Sequence, residues 1–594
     1  MLSRLIPISF LLLQTIFVTN AAIQVVVPST PSGSNVVDSN FLGISFELSF
    51  MTEYFGNDTQ HINMPILNYL GAIRARTAAK DPIRIRIGGN SADSSPYFSP
   101  SASPMVQLVP GNYNFNDQPV TYNSMIWSVM SGVSKSIGGV AYAINIPLAI
   151  FPNATMADDI RSILGSDLDS MLLGNEPDLY TGHNKRPNQA NYTVTNYIDE
   201  YKSALAIIGT KDAAGKADIG GPSICCNWDL EPLLKEGYLS NFTGELKYIV
   251  LQHYPQNNCN PGVFKYQLPW YLQHANVVEL AQWQKPGIDY LLSQPADRRP
   301  KLINSEFNSA SCGGVPFSPS FAVGSLWSID YALQMASVGY SQAYIHTREA
   351  GISYNLIKPP TGPPGSAGAW VTNSPYYALL VAAEALVSDH GVIVQDLNLE
   401  GSSSNPNVTT SGYAIYNANN KTVSRLVLIN AANGTSADFA LPAAAFRSSG
   451  TALVKFLAAA RPEEETNITW GGETWSGPQV TDGKATQKPA WAVPNQNLKD
   501  CAQNGCSVIV PGPSLAIVFL DGMQNRVIAA VNPSDPASVP VKVNNGSTSG
   551  SGNSNNGSGH NGGTKGHSGA LSLQLSMGAG ALFVLLPWAV WGSF

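Results

Sequence analysis

The chain has 594 residues, of which 44% are hydrophobic and only 12% are charged. This length exceeds one ordinary domain and fits a large barrel with a smaller partner domain. The formal net charge of −7 and the lack of basic clusters in the sequence exclude the usual nucleic-acid-binding protein, in which Lys and Arg are concentrated on one face.

The N-terminal segment has the pattern of a secretory signal peptide. One Arg precedes an apolar run from Leu5 to Val18, and small residues follow at Ala21 and Ala22. A segment with this order of residues directs export and is cleaved from the mature protein, so we expect residues 1–21 to be a signal peptide. Asn-x-Ser/Thr sequons fit an exported glycoprotein. They begin at Asn57, Asn153, Asn191, Asn241, Asn407, Asn420, Asn433, Asn467, Asn545 and Asn556.

Eight short apolar or β-branched runs recur along the first two thirds of the chain, separated by longer segments. Some of these segments have helical periodicity, such as residues 191–208. Strands that alternate with helices predict an α/β fold, and eight of them predict a (β/α)8 TIM barrel over residues 41–387. The predicted strands are Phe41–Leu48, Pro82–Gly89, Val140–Ile146, Met171–Gly174, Ala217–Gly221, Lys247–Tyr254, Lys301–Phe307 and Gln342–Thr347.

The pattern changes after the eighth predicted strand. Short alternating runs such as Gly412–Ala418 and Ser514–Leu520 are separated by Gly, Asn and Pro. This pattern predicts a C-terminal antiparallel β-sandwich domain over residues 388–525. Residues 22–40 precede the barrel, and their run Ile23–Ser29 is expected to join that domain as a strand.

The last two segments of the chain have biased compositions. Residues 526–569 become rich in Gly, Ser and Asn and form a linker that cannot bury a core. Residues 570–594 are uncharged and mostly apolar, and this order predicts a GPI-anchor signal with attachment among Asn553–Gly557. A membrane-spanning helix is the alternative, although no Lys or Arg follows Lys565 as a basic flank. We therefore expect a secreted protein anchored to the outer leaflet of the plasma membrane, at the cell surface or cell wall.

The six cysteines are an even number in an exported chain, which predicts disulfides. Cys501 and Cys506 bracket a short loop and are the first pair we expect. The spacing of Cys, His, Asp and Glu predicts no metal site, and no cofactor is expected. The sequence leaves the oligomeric state open. The other cysteines are Cys225, Cys226, Cys259 and Cys312.

Polar residues close several of the predicted barrel strands. In a barrel, the reacting groups project from the C-terminal ends of the strands into the cavity formed by the following loops. We therefore expect these residues to form one cluster. They are Glu47, Asn90, Asn175, Glu176, His253, Tyr254, Glu306 and His346.

Glu176 and Glu306 are carboxylates on the fourth and seventh predicted strands. Cleavage of a glycosidic bond requires such a pair: one donates a proton to the leaving oxygen, and the other attacks or stabilises the cationic sugar carbon. The acid has to stay protonated, which burial and a nearby negative charge favour. Asn175 offers an amide to a sugar hydroxyl. The pattern predicts a glycoside hydrolase.

Other polar residues have structural explanations as well as functional ones. Arg84 and Arg86 alternate with Ile, so both point to one face, and a structural salt bridge explains Arg84 as well as a ligand role does. His253 fits a buried, hydrogen-bonded histidine better than a catalyst. The role of His346 is left open.

The motifs GNEPD (Gly174–Asp178) and INSEFNSASCGG (Ile303–Gly314) resemble those of glycoside hydrolase family 79, which contains β-glucuronidases and heparanase. This family belongs to a retaining clan with its acid on strand four and its nucleophile on strand seven. FLGISFEL, RIRIGGNSAD, QHYP and GISYN agree with the family in the same order. The resemblance extends from Phe41 to about Asp521.

The resemblance implies a role for each candidate residue. Glu176 becomes the acid/base and Glu306 the nucleophile, with about 5 to 5.5 Å between their carboxyl groups. Arg86 would keep the nucleophile ionised. The family often has an aromatic residue shortly before the Gly-Gly, where this chain has Ser311 and Cys312. The implied substrate-binding residues are Glu47, Asn90, Asn175 and Tyr254 for the sugar ring, and Tyr354 with the backbone of Cys312, Gly313 and Gly314 for a uronic carboxylate.

The resemblance implies a retaining exo-β-glucuronidase. Its substrate would be terminal glucuronic acid, or the 4-O-methyl form, on extracellular or cell-wall glycans. An endo-acting, heparanase-like enzyme needs a basic cleft for a polyanion, which 33 basic against 40 acidic residues without a basic run do not favour. A glycosidase for another sugar on the same scaffold and a non-catalytic surface glycan-binding protein stay open as alternatives.

Overall fold

The structure is a computed structural model that describes residues 21–520, except 112–117, 190, 362–367, 447–449, 479 and 488. The predicted signal peptide up to residue 20, the last residues of the predicted sandwich, the linker and the anchor signal (521–594) lie outside the described residues. So do the sequons at Asn545 and Asn556. Within the described part of the chain, no helix has both the length and the apolar character needed to cross a membrane.

Eight parallel strands close into a barrel, which confirms the predicted α/β (β/α)8 fold. The last strand pairs with the first, with Ala343 opposite Leu42. Each predicted strand overlaps an observed one. The barrel strands are β1 (Leu42–Glu47), β2 (Ile83–Gly88), β3 (Val140–Ile146), β4 (Leu168–Leu173), β5 (Ile219–Ile224), β6 (Leu246–Gln252), β7 (Lys301–Phe307) and β8 (Tyr340–Thr347).

Helices follow each barrel strand and pack their apolar faces on the barrel in one continuous core. The predicted helix at 191–208 begins at Val194, where Thr193 caps it, and ends at Ile208 before Gly209. The main helices, in chain order, are Met64–Arg74, Met125–Ile137, Ala154–Leu164, Val194–Ile208, Leu230–Leu233, Leu239–Asn241, Leu268–Tyr271, His274–Ala281, Lys285–Leu292, Ser328–Val338 and Pro375–Leu386. The π-helical segments Leu234–Tyr238 and Phe321–Trp327 adjoin two of them.

Shorter elements decorate the loops at the C-terminal ends of the strands. They are the helices Met51–Phe55 and Asn90–Ser94, a small sheet of Tyr97–Phe98, Val106–Leu108 and Val120–Asn123, and the pair Ile357–Lys358 and Val371–Thr372.

The alternating sequence of β2 determines what fills the barrel. Because successive side chains of a strand point to opposite faces, Ile85 and Ile87 enter the core beneath the helices. Arg84 forms a salt bridge with Asp169, with 3.4 Å between Nη1 and Oδ1. Arg86, two residues further along β2, reaches the C-terminal end of the barrel. Arg84 therefore has a structural role, whereas Arg86 is available to the candidate active site.

Two sheets form the C-terminal domain, which confirms the predicted sandwich. The N-terminal strand Ile23–Gln24 joins the smaller sheet by pairing in parallel with Ala437–Leu441. The larger sheet contains Val392–Asp396, Thr410–Asn417, Val423–Asn430, Ser514–Phe519, Ala452–Ala458, Thr469–Trp470, Glu473–Thr474 and Thr486–Gln487 in spatial order, with Gln496–Leu498 beside Ala452–Ala458. The smaller sheet contains Ile23–Gln24, Ala437–Leu441 and Cys506–Val510.

The larger sheet is buried on both faces. On one of its strands, Ala414 and Tyr416 belong to the core shared with the smaller sheet. The alternate residues Tyr413 and Ile415 belong to the core shared with the barrel helices. The sheet is therefore a middle layer between the barrel and the smaller sheet.

A buried charged cluster also joins the barrel to the sandwich. The His274 ring lies with Nδ1 2.9 Å from Asp330 Oδ2 and Nε2 3.3 Å from Asp396 Oδ2. Tyr413 Oη donates a hydrogen bond of 2.6 Å to Asp330 Oδ1. Burial alone would lower the pKa of His274, but the two carboxylates outweigh it and raise the pKa to about 10. His274 is therefore a cation at neutral pH.

Candidate active site

Glu306 lies near the C-terminal end of β7 and is 8% exposed. Tyr254 Oη donates a hydrogen bond of 2.8 Å to its Oε1, and Arg86 Nη1 donates one to its Oε2. Burial alone would raise the pKa of Glu306, but its electrostatic interactions with His346 and Arg86 outweigh burial and lower the pKa to about 2. Glu306 is therefore ionised at neutral pH.

Arg86 is fully buried and connects strands β1, β2, β3 and β7 with the residue that precedes Glu176. Besides Glu306, its Nη1 donates to Ser45 Oγ at 3.1 Å. Its Nη2 donates to Asn145 Oδ1 at 3.1 Å and to Asn175 Oδ1 at 2.7 Å. The planar guanidinium thus fixes several acceptors at once, which an ammonium group could not do.

Asn175 is a second junction of the same network. Its Oδ1 also accepts a hydrogen bond of 2.9 Å from Gln252 Nε2. Its Nδ2 donates to Asn90 Oδ1 at 3.0 Å. The two amides predicted to bind the sugar therefore contact each other.

Glu176 follows β4 and has a left-handed backbone, with φ 48° and ψ 53°. This conformation costs a non-glycine residue about 1–2 kcal/mol, and such strain is concentrated at functional sites. Burial raises the pKa of the Glu176 carboxyl well above the ordinary value, and the charges of Glu306 and Asp178 raise it further. Glu176 is therefore held protonated while Glu306 is ionised.

Glu47 ends β1 beside the network around Glu306. Its Oε1 accepts a hydrogen bond of 2.9 Å from Ser91 N, and its Oε2 lies 3.3 Å from His346 Nε2. A Cβ on Gly89, where φ is 84°, would lie 2.0 Å from this Oε2. A Cβ on Gly88 would lie 2.4 Å from the Arg86 guanidinium. The Gly-Gly of RIRIGGN therefore leaves the space that the two charged groups occupy.

The predicted carboxylate-binding loop lies against Tyr354. Cys312, Gly313 and Gly314 all have positive φ, of 56°, 89° and 82°. A Cβ on Gly314 would lie 2.5 Å from Ser353 Oγ and 3.1 Å from Tyr354 Cδ1, so only glycine allows this packing.

Cys312 also forms a disulfide with Cys259, which links the loops after β6 and β7. The ring of Tyr354 lies 6.1 Å from that of His346, between the loop and the carboxylates.

The structure brings together the predicted residues Glu47, Arg86, Asn90, Asn175, Tyr254 and Glu306 in one hydrogen-bonded or charged network, with Glu176 beside it. His253 lies outside this network, stacked on Trp283 with 4.1 Å between ring centroids, and burial lowers its pKa to about 4. The predicted pair Cys501 and Cys506 forms a disulfide in the C-terminal domain.

Sequence reasoning missed four polar residues of the network and left His346 unassigned. His346 Nδ1 is hydrogen-bonded to Ser45 Oγ at 2.9 Å, and its Nε2 lies 3.8 Å from Glu306 Oε1. Strand alternation could have indicated Ser45 and Gln252, which precede Glu47 and Tyr254 by two residues, whereas Asp178 lies in a 3-10 turn. The missed residues are Ser45, Asn145, Gln252 and Asp178. Among the residues that the structure describes, no cluster of His, Cys, Asp and Glu could hold a metal ion.

The chain is similar to known glycoside hydrolases. Residues 412–517 match the family described as "Glycosyl hydrolase family 79 C-terminal beta domain". The chain is 24% identical over 575 residues to a β-glucuronidase of Neurospora crassa, covering 84% of this chain and 96% of the relative. It is 24% identical over 487 residues to a β-glucuronidase of Aspergillus niger, covering 73% and 82%.

A solved structure has the same fold. It is a 4-O-α-L-rhamnosyl-β-D-glucuronidase from Fusarium oxysporum 12S, with a TM-score of 0.66, 19% identity and coverage of 84% of this chain and 100% of that chain. A barrel with an attached sandwich and two carboxylates of opposite protonation defines a glycoside hydrolase. The C-terminal domain thus matches the family 79 C-terminal beta domain, and the chain is similar over most of its length to two fungal β-glucuronidases.

Proposed function

We propose that the protein is a retaining exo-β-glucuronidase that releases terminal glucuronic acid, with or without a 4-O-methyl group, from extracellular or cell-wall glycans. The observation that carries the proposal is the opposite protonation of Glu176 and Glu306 within one network. The two fungal relatives are β-glucuronidases, which supports the choice of sugar.

The proposed reaction has two steps. The Glu306 carboxylate attacks the anomeric carbon while Glu176 gives its proton to the glycosidic oxygen, so that the alcohol leaves and a glycosyl ester forms on Glu306. Glu176, now ionised, takes a proton from water, which attacks the same carbon and releases Glu306. Arg86 and Tyr254 hold Glu306 ready for attack and stabilise it when it leaves.

The choice of a uronic acid rests on the loop Cys312–Gly314. The other acidic groups of the site, Glu47 and Glu306, would repel a substrate carboxylate, so it needs its own donors. Gly313 and Gly314 have no Cβ, which lets their backbone N–H groups approach an anion closely. Tyr354, packed against this loop, adds a phenolic donor.

Aryl glycosides with product analysis by NMR test the sugar and the stereochemistry. We expect cleavage of the β-glucuronide, no cleavage of the β-glucoside, and the β-anomer as first product. Cleavage of the glucoside alone, or the α-anomer first, would contradict the proposal. Shortening of heparan sulfate chains on a sizing column would indicate the endo-acting alternative instead.

Substitution of each carboxylate tests its role. Glu306→Ala should abolish turnover in a protein that still folds. Glu176→Ala should reduce cleavage of poor leaving groups by about 100-fold or more, because only these need protonation, and activated aryl glycosides far less. A Glu306→Ala variant with ordinary turnover would remove Glu306 from the mechanism.

We also propose export and a GPI anchor, on the composition of residues 1–21 and 570–594. An apolar tail after a polar linker supports the anchor. Treatment of cells with a phosphoinositide-specific phospholipase should release the protein. Release by detergent alone would contradict it.

A further inference from the structure

Asp178 stands two residues after Glu176, yet its carboxylate binds the neighbouring loop. Oδ2 accepts hydrogen bonds of 2.7 Å from Cys226 N and 2.7 Å from Asn227 N. Oδ1 accepts one of 3.2 Å from Cys225 N. The side chain is buried, so one carboxylate takes up three successive backbone N–H groups of the loop after β5.

A disulfide between adjacent residues closes this loop. Cys225 and Cys226 are bonded to each other, which confines the peptide between them to a small ring. The following Asn227 returns a hydrogen bond of 3.1 Å from Nδ2 to Asp178 O. The ring therefore restricts the segment whose three N–H groups converge on Asp178.

Glu176 is held from the same side. Its N–H donates to Ser223 O at 3.1 Å, so the segment 176–178 is attached to the segment 223–227 at both ends. A non-glycine residue leaves the left-handed conformation unless its surroundings fix it. These two attachments help to fix the backbone of Glu176, together with Leu179 N–H, which donates to Glu176 O at 2.9 Å.

On the proposed function, we infer that Asp178 and the Cys225–Cys226 disulfide are positioning residues for the proton donor Glu176. They act on Glu176 indirectly, through the backbone of the two attached segments 176–178 and 223–227. Their removal would let the donor move from the glycosidic oxygen, and a displacement of about 1 Å costs on the order of 100-fold in rate. Asp178 acts on charge as well, because its negative charge helps to keep Glu176 protonated.

The test is a series of aryl glycosides with leaving groups of graded acidity. We expect the variants Cys225→Ser/Cys226→Ser and Asp178→Asn to lose about 100-fold in kcat/KM on the glycoside with the poorest leaving group. On the dinitrophenyl glycoside, whose leaving group needs no proton, the loss should be less than about 3-fold. Asp178→Asn should also move the alkaline limb of the pH–rate profile to lower pH. The control, Cys501→Ser/Cys506→Ser, removes another short-loop disulfide and should leave the series unchanged.

Equal losses on all leaving groups with an unmoved alkaline limb would mean a merely structural role and overturn the inference, as would variants that match the control. If the double serine variant does not fold, Asp178→Asn decides the question. A different result would contradict the proposed function: the unsubstituted enzyme would not cleave glucuronides. The leaving-group series then uses whichever aryl glycoside it cleaves.

Discussion

Replacement of His274 should make the free energy of unfolding depend less on pH in the alkaline range. His274 is buried between Asp330 of the barrel and Asp396 of the sandwich, and its charge holds these carboxylates together. The pKa rises from an ordinary 6.5 to about 10 in the fold. Because the folded state binds this proton more tightly, the stabilisation is complete below pH 6.5 and is lost as the pH rises towards 10.

The structure sets the size of this effect. Each pH unit between 6.5 and about 10 is worth about 1.4 kcal/mol, so deprotonation of His274 should remove about 5 kcal/mol of unfolding free energy. For a folded part of about 500 residues, this corresponds to a fall of about 5 °C in the unfolding midpoint.

Scanning calorimetry from pH 6 to pH 10 measures the effect. The unsubstituted protein should lose this stability across the range, whereas His274→Gln should be less stable at pH 6 and change less with pH. His61→Gln is the matched control, because the His61 side chain is 77% exposed and pairs with Asp58 at the surface. If the unfolding midpoint of His274→Gln falls with rising pH as steeply as that of the control, the reasoning is refuted.

Two further predictions concern the site. Arg86→Met should raise the pKa of Glu306 from about 2, because burial is then less opposed, and move the acidic limb of the pH–rate profile up by more than about one unit; an unmoved limb would contradict the role of Arg86. Gly89→Ala should displace Glu47 and reduce kcat/KM by about 10-fold or more, since the new Cβ would lie 2.0 Å from its carboxylate. In comparison, Gly165→Ala has a similar positive φ with open space around it and should cost only stability, so equal kinetics for the two alanine variants would argue against the steric explanation.

The barrel was predictable from the sequence because each strand is a short apolar run between longer segments. The two carboxylates were recognisable because a charged residue at the end of a buried strand is unfavourable unless it has a function. The sandwich was predictable for a similar reason, since alternating runs separated by turn residues allow few other folds.

The rest of the network depends on the strand faces, which the sequence leaves open where polar residues are adjacent. Gln252, His253 and Tyr254 follow one another, and only the observed register shows that Gln252 and Tyr254 face the site while His253 packs on Trp283. The bond between Cys225 and Cys226 was not predictable either, because adjacent cysteines more often pair with distant partners.

The helix Pro375–Leu386 shows what the two-sided burial of the larger sheet means for the folding of this chain. All twelve of its residues are buried, including Glu384, whose carboxylate pairs with Arg76 of the barrel and Lys455 of the sandwich. A gene fragment ending at residue 387 would leave this helix facing water and expose it to chaperones and proteases. We therefore expect the barrel and the sandwich to fold as one piece.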